Sequence, residues 1–594
     1  MPTVRVLTVL VAGIACLVAP GCNTPRTTEK LRKSALVEAS EGRFAQAAAN
    51  INDLCGSYDT GEPKEAGGAP AVSGSLSDKQ ALLWHLERGM LGHLQGDWQL
   101  SDRHLDAAAD LVDERRKKGI VTETGTMVAN DTLRDYAGNA FEHIQLDYYR
   151  ALNRTVQAEL STGLLGLKTT YFANLPPVID HSTAAAVPVA APAGTPAAVP
   201  ADDQYGRAIS FARRLTINQL KETEDAAGSH RYEDDPFGRV LAAALTWCPP
   251  LAARAEGDLQ FADAMLKRAV QGYAHQTRVL TGDQPFRYEA RARPELLDTL
   301  LVRTCRRYDR EGFDQRLAEF GFQPGDPRLQ QAELAPGAGM VLILNHVGFI
   351  AHPEVLDIRI IAVGGFPHPP SSDERAAGIS GTSFTIGGLG FYAKGPGSEI
   401  VNHWAAIPVP GEVINRLLAP GGAAFMGFAL PVHRPDRVNP PPAAIRAIPA
   451  AGGSETIRTL EVVSDLDAYA RATLKDEQPK LLVKTLIRAA AKQVAAGTVT
   501  HELTKRNDGL GELLGAGLNL LTSAAATLSE VADTRSWSTL PDHIEARLLD
   551  LPAGSYALRL ETTYGTVDLG TVKVPAGRLV VVPVRTYPEP ALRP

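Results

Sequence analysis

The stretch from Ala81 to Val112, ALLWHLERGMLGHLQGDWQLSDRHLDAAADLV, constrains the fold more than any other. Its apolar residues recur at helical spacing on both sides of Gly96-Asp97, which predicts two helices joined by a tight turn. One helix can lie closely on another only where facing positions are small, and the turn needs a residue that tolerates unusual backbone angles. Gly89 supplies a small site on the first helix. Counted from Gly96, Ser101, Leu105 and Ala108 fall at +5, +9 and +12. The same offsets recur after Gly42 (Ala47, Ile51, Leu54) and after Gly257 (Ala262, Leu266, Ala269).

These three stretches resemble tetratricopeptide repeats, in which such hairpins stack in series. The spacing is irregular: the first two glycines lie 54 residues apart and the third 161 further on, whereas a regular array repeats about every 34 residues. An ordinary antiparallel helical bundle with glycine turns stays open as the alternative. Either way the N-terminal half is helical.

Residues 1–21 read as an export signal. Arg5 precedes the apolar run Val6–Val18, which is too short to span a bilayer, and Ala19-Pro20-Gly21 leads into Cys22. A cysteine after small residues resembles the lipobox of bacterial lipoproteins, which implies a lipid on Cys22 and a mature chain that starts there. Acyl chains contribute about 0.8 kcal/mol per buried methylene, so two or three anchor a protein durably. Asn23 follows, with no Asp to favour the inner membrane, so the expected location is the periplasmic face of the outer membrane. A plain cleaved signal with Cys22 free is the alternative.

The net charge of −7 and pI near 6.1 speak against a nucleic-acid partner, which calls for a basic domain or stripe. Beyond the signal and Cys22, Cys55, Cys248 and Cys305 are widely spaced and lack CxxC pairing, so neither a metal site nor a disulfide framework follows from them.

Along the chain, a polar tether (23–30) leads to the first hairpin at 31–56. A Gly/Pro/Ser-rich stretch (56–77) precedes the central hairpin. Tyr136, Phe141, Ile144, Tyr148 and Leu152 then stripe a helix expected over 133–152. The Ala/Pro-rich 182–203 reads as an extended linker. It divides a helical domain into 31–181 and 204–330, the latter with helices at about 204–225, 237–272 and 293–320. Past Pro336 the pattern turns to strands at Met340–Leu344, Val355–Val363 and Phe425–Val432, with a Gly/Ser-rich loop expected over 366–402. Alternation returns at Ile544–Leu548, Leu558–Leu560, Val567–Val574 and Leu579–Val584. The turns there are Leu551-Pro-Ala-Gly554 and Val574-Pro-Ala-Gly577. The expected class is α+β: helical hairpins, then a β-rich 337–594 with a helical insertion at 465–532. Its strands would form a small antiparallel β-sandwich that includes those of 340–435.

LERGMLGHLQGDW (86–98), YYRAL (148–152) and above all EVADTRSWSTLPDHIEARLLDLPAGSY (530–556) are similar to an uncharacterised family of bacterial lipoproteins with a tetratricopeptide-like N-terminal half. The resemblance covers both halves, while the insert at 182–203 looks peculiar to this chain. Some relatives are thought to be encoded near lipoprotein activators of penicillin-binding proteins, which implies a cell-envelope role. It carries over no activity and no catalytic residue.

His346, His352, Glu354 and His368 form the densest group of metal-ligand types, but Pro353 argues against the helix that an HExxH site requires, and no metal is expected. GISGT (378–382) lacks the spacing of a nucleophile elbow, and GGLG (387–390) lacks the Lys-Ser/Thr of a phosphate loop, so no cofactor is expected. Lys480, Lys484, Arg488 and Lys492 line one helix face, best read as a solvated face. Gly509–Ala532 reads as a buried helix. Asp533, Arg535 and Trp537 form a buried ion pair with an aromatic lid, or part of a binding surface. Trp84, Trp98, Tyr148, Arg535 and Trp537 make up the candidate interaction surface. The expected function is a lipid-anchored periplasmic scaffold, held to the membrane at Cys22, that binds a protein or peptide partner of the envelope and is linked to cell-wall synthesis. The alternative is an envelope hydrolase or metal-dependent enzyme with a site near His346 and Asp533, for which no catalytic residue can be named.

Overall fold

The structure is a computed structural model. It describes residues 25–55, 79–119, 135–167, 172–173, 200–225, 235–250, 256–279, 293–308, 312–368, 383–394, 423–433, 440–479, 481–482, 484–485 and 532–587. Signal residues 1–21, Cys22, most of the linker, Lys480, Arg488, Lys492 and 509–531 lie outside the described residues. The chain is α+β: a helical N-terminal part is followed by strands in sheets.

The helices run α1 (Pro25–Ser40), α2 (Phe44–Cys55), α3 (Ala81–Leu94), α4 (Trp98–Gly119), α5 (Ala140–Ser161), α6 (Ala201–Asp225), α7 (Pro236–Leu245), α8 (Glu256–Val279), α9 (Glu295–Tyr308), α10 (Phe313–Glu319) and α11 (Pro327–Gln331). From α1 to α9 each helix packs on the next. Gly42 and Gly96 make the turns of the first two hairpins with φ of 74° and 77°, the left-handed region open mainly to glycine. Gly89 and Gly92 admit α4 closely. A Cβ on Gly92 would come 2.7 Å from the Ser101 backbone nitrogen, and Ser101 Oγ donates to the Gly89 carbonyl at 2.7 Å. Ala47, Ile51 and Leu54, and Ser101, Leu105 and Ala108, are all buried.

The third glycine differs. Gly257 sits inside the first turn of α8, so its +5, +9 and +12 partners are the buried face of one helix rather than the far side of a turn. The expected helix over 237–272 is two helices, because Pro249-Pro250 removes two donors and ends the first. Helix α5 starts at Ala140, not near Leu133: Asn139 and Glu142 form a reciprocal capping box there. The tether is shorter than expected, since Pro25 opens α1, and the linker ends by Pro200, since α6 begins at Ala201.

The strands are β1 (Leu165–Leu167), β2 (Phe172–Ala173), β3 (Ala338–Val347), β4 (Glu354–His368), β5 (Ser383–Lys394), β6 (Ala423–Val432), β7 (Ala444–Pro449), β8 (Thr456–Thr459), β9 (Glu461–Ser464), β10 (His543–Pro552), β11 (Gly554–Thr562), β12 (Gly565–Val574) and β13 (Leu579–Thr586). Three sheets form among the described residues: β1-β12-β11-β7-β8, β2-β13-β3-β10-β9 and β5-β4-β6. In β11 buried Tyr556, Leu558 and Leu560 alternate with more exposed residues, the mark of a sheet with one wet face. Every residue of β3 and of β13 is buried. That sheet is therefore the middle layer, with β-strands on one face and helices on the other. Helix α5 reaches it through Tyr148 and Glu159, and Tyr273 of α8 donates to the Val463 carbonyl at 2.7 Å.

Three expectations change here. The sandwich is mixed, because β13 runs parallel to β3 with Leu579 opposite Met340. The strands of 354–432 form a sheet of their own instead of joining the sandwich. Part of the expected loop at 366–402 is strand β5, paired antiparallel with β4, and GGLG lies within it. The two Pro-Ala-Gly turns carry the chain from one sheet to the other: β10 and β13 belong to the middle sheet, β11 and β12 to the outer one. Of the expected insertion at 465–532, residues 466–479 are helical.

Candidate functional site

The joint between the halves is built on two carboxylates that amphipathic periodicity alone would assign to solvent. Glu87 of α3 is 1% exposed. Its Oε1 accepts from the Ser538 amide and hydroxyl, both at 2.7 Å, and its Oε2 from the Thr539 amide at 3.3 Å and hydroxyl at 2.5 Å. Glu142 of α5 accepts from the Trp537 amide at 2.7 Å, the Tyr136 hydroxyl at 2.5 Å and the Asn139 amide at 2.8 Å. Arg32 of α1 donates to the Thr534 carbonyl at 2.8 Å. Segment 534–539 of the β-rich half is thus plugged into three helices of the other half. Burial pushes the Glu87 carboxyl upward, opposed by the hydrogen bonds from Thr539 and Ser538 and by the charge of Arg32.

Arg535 forms a two-pronged pair with Asp533, Nε to Oδ1 at 2.8 Å and Nη2 to Oδ2 at 2.6 Å. Its guanidinium lies 5.5 Å from the Tyr136 ring centroid. The ion pair expected at 533–535 is present but half-buried rather than buried, with Tyr136 as its aromatic neighbour in place of Trp537.

Beside the joint opens a cleft of about 380 Å³. The loop before α5 (Asp135 to Asn139) forms one wall, and Ile350 and Pro353 after β3 form another. Leu474, Glu477 and Lys484 of the 466–485 region line it together with Asp533, Arg535, Ser536 and Trp537. Acid, base and apolar surface share the cleft. His433, also lining it, is held near 4 and therefore neutral, chiefly by burial.

The expected interaction surface is corrected by burial. Trp84, Tyr148 and Trp537 are 5%, 1% and 0% exposed; large rings lose most by staying wet and have gone into the core. Trp84 Nε1 donates to Asn52 Oδ1 at 2.8 Å. Trp98 is half-buried, edge-on to His93 with centroids 5.2 Å apart. Of the five, Arg535 and the Trp537 floor line the cleft.

His346 is a satisfied core histidine. Its Nδ1 lies 3.0 Å from the Val584 carbonyl, which can only accept, so Nδ1 carries the hydrogen and Nε2 accepts from the Tyr148 hydroxyl at 2.9 Å. Burial lowers its pKa to about 3, with Arg585 and His93 adding to the effect. His346 lines a small cavity with His93 and Arg585, whereas Asp533 lines the large cleft. The two groups on which a hydrolase would depend therefore face different cavities. Among the described residues no three metal-ligand side chains cluster, and no helix is long and apolar enough to cross a membrane. Cys55, Cys248 and Cys305 are buried, and none of them is in a disulfide. Lys484, the described member of the basic stripe, lines the cleft.

No protein-family model matches the chain, and no curated protein matches it.

Proposed function

We propose that the protein is a lipid-anchored periplasmic scaffold, tethered at Cys22, that holds a protein partner of the cell envelope. Serially stacked helices offer an extended surface, and that geometry suits protein partners better than small substrates. The observation that carries the reading furthest is the cleft at the joint. It is large enough for the side chains of a short extended segment, is lined by acid, base and apolar groups together, and has walls from both halves. A link to cell-wall synthesis rests on the sequence resemblance.

Crosslinking in living cells, with capture through a C-terminal tag, tests this. Recovery of a cell-wall synthase or its activator, reduced by Cys22→Ala, supports the reading. Recovery of nothing but the protein itself refutes it. Ala351→Trp, which places an indole at the wall of the cleft, tests the location: undiminished capture by a folded A351W would move the binding surface elsewhere.

A further inference from the structure

Arg585 of β13 is 2% exposed, in the middle layer of the fold. Its Nη2 donates to the Gly348 carbonyl at 2.5 Å and the Thr539 carbonyl at 3.0 Å. The Phe349 and Tyr587 ring centroids lie 5.0 and 5.5 Å from its guanidinium carbon. Among the described residues no carboxylate pairs with it, although Arg303, Arg471 and Arg535 each have one. Carbonyl dipoles and ring faces offset part of the cost of a buried cation, but they supply no net negative charge.

A small cavity adjoins this cation, leaving about 10 Å³ for the centre of a water-sized guest, which is room for one. Arg585, Tyr149, His93 and His346 line it. The Arg585 Nε and the Tyr149 hydroxyl, both buried, make no hydrogen bond of ordinary geometry, and the guanidinium lies close enough to the phenol to act on it. Neither histidine adds charge: burial holds His93 near 4 and His346 near 3. Burial also raises the Tyr149 phenol, so no tyrosinate balances the arginine.

We propose that this cavity is a binding site for a single halide ion, chloride in ordinary media, held by the Arg585 guanidinium and the Tyr149 hydroxyl. Two orphaned donors beside a net positive charge match a guest that only accepts. A water molecule would instead have to place two hydrogens and would leave the charge unbalanced. The site sits where α5 meets β3 and β13, so its occupant stabilises the joint between helices and middle sheet. This inference is independent of the scaffold reading.

Two measurements on the full chain test it. Crystals grown in bromide should give an anomalous peak within hydrogen-bonding reach of Arg585 and Tyr149; a map without one overturns the proposal. In solution, replacing chloride by gluconate at constant ionic strength should lower the unfolding midpoint by about 2 °C or more. Tyr149→Phe keeps the ring and removes one donor, so it should fold and lose most of that difference. Equal midpoints in the two salts, or a difference that Y149F leaves unchanged, would refute the assignment.

Discussion

Replacing Glu87 by alanine should release segment 536–539 from the helical half. The carboxylate accepts four hydrogen bonds from Ser538 and Thr539. In Glu87→Ala the two hydroxyls can rotate to other partners, and Thr539 Oγ1 keeps the Trp537 indole donor at 3.1 Å. The two amides cannot rotate. Each buried donor left unsatisfied costs about 1–3 kcal/mol, so the segment loses about 2–6 kcal/mol of local stability. Glu87→Gln keeps one acceptor oxygen and should lose about half as much. Native-state hydrogen exchange reads this directly. Protection of the Ser538 and Thr539 amides should fall between about 30-fold and about 25,000-fold in Glu87→Ala, with helices remote from the joint, such as α8, much less affected. Unchanged protection at 538 and 539 would refute the reading that Glu87 holds the segment.

Two glycines on helices should respond in opposite directions. Gly92→Ala drives a Cβ into the Ser101 backbone, and overpacking of about 1–3 kcal/mol exceeds the propensity gain of ~1 kcal/mol. Gly206→Ala meets nothing within 4 Å and should stabilise by about 0.5–1 kcal/mol; chemical denaturation of both variants reads the two signs. Gly339→Ala would strike the Pro575 carbonyl where the β12–β13 turn crosses β3, and should lower the unfolding midpoint. Glu159 accepts from the Val581 amide at 2.9 Å while its Oε2 has no partner. Burial raises its pKa well above the carboxylate range, against the Val581 hydrogen bond and the charge of Arg578. The folded state therefore keeps a proton that the unfolded chain releases near pH ~4.3, and stability contributed at low pH is lost as pH rises toward the folded value. Glu159→Gln imitates the protonated acid, so it should flatten that decline and be no less stable than the parent at pH ~7; midpoints across that range check it.

The hairpins at Gly42 and Gly96 were legible because a left-handed turn and close helix contact both restrict residue choice locally. Gly257 shows the limit: buried positions on one helix recur at the same offsets whether or not a turn precedes them. Strands β10 to β13 were legible from alternation and proline turns. The parallel pairing of β13 with β3 was not, since nothing local links positions 340 and 579. Strand β5 is glycine-rich and reads as loop until β4 is seen beside it. The site was the least legible part. Its conspicuous aromatics Trp84, Tyr148 and Trp537 went to the core, while Glu87 and Glu142 resemble ordinary polar positions of amphipathic helices and reveal themselves only through the amides of a segment about 400 residues away.

Strand β13 follows all the other described strands in chain order, yet it lies between β2 and β3, inside the middle sheet. A chain emerging residue by residue therefore holds β3, every residue of which ends up buried, with one edge vacant until residues 579–586 are available. The helical hairpins, made of near neighbours, can close early; the sheet that joins them to the rest cannot. For that interval the β3 edge is a template for any passing strand. A chain cut before residue 579 should accordingly clump instead of settling into a smaller version of the fold, and a chaperone that shields extended segments should matter most to its final stage of assembly.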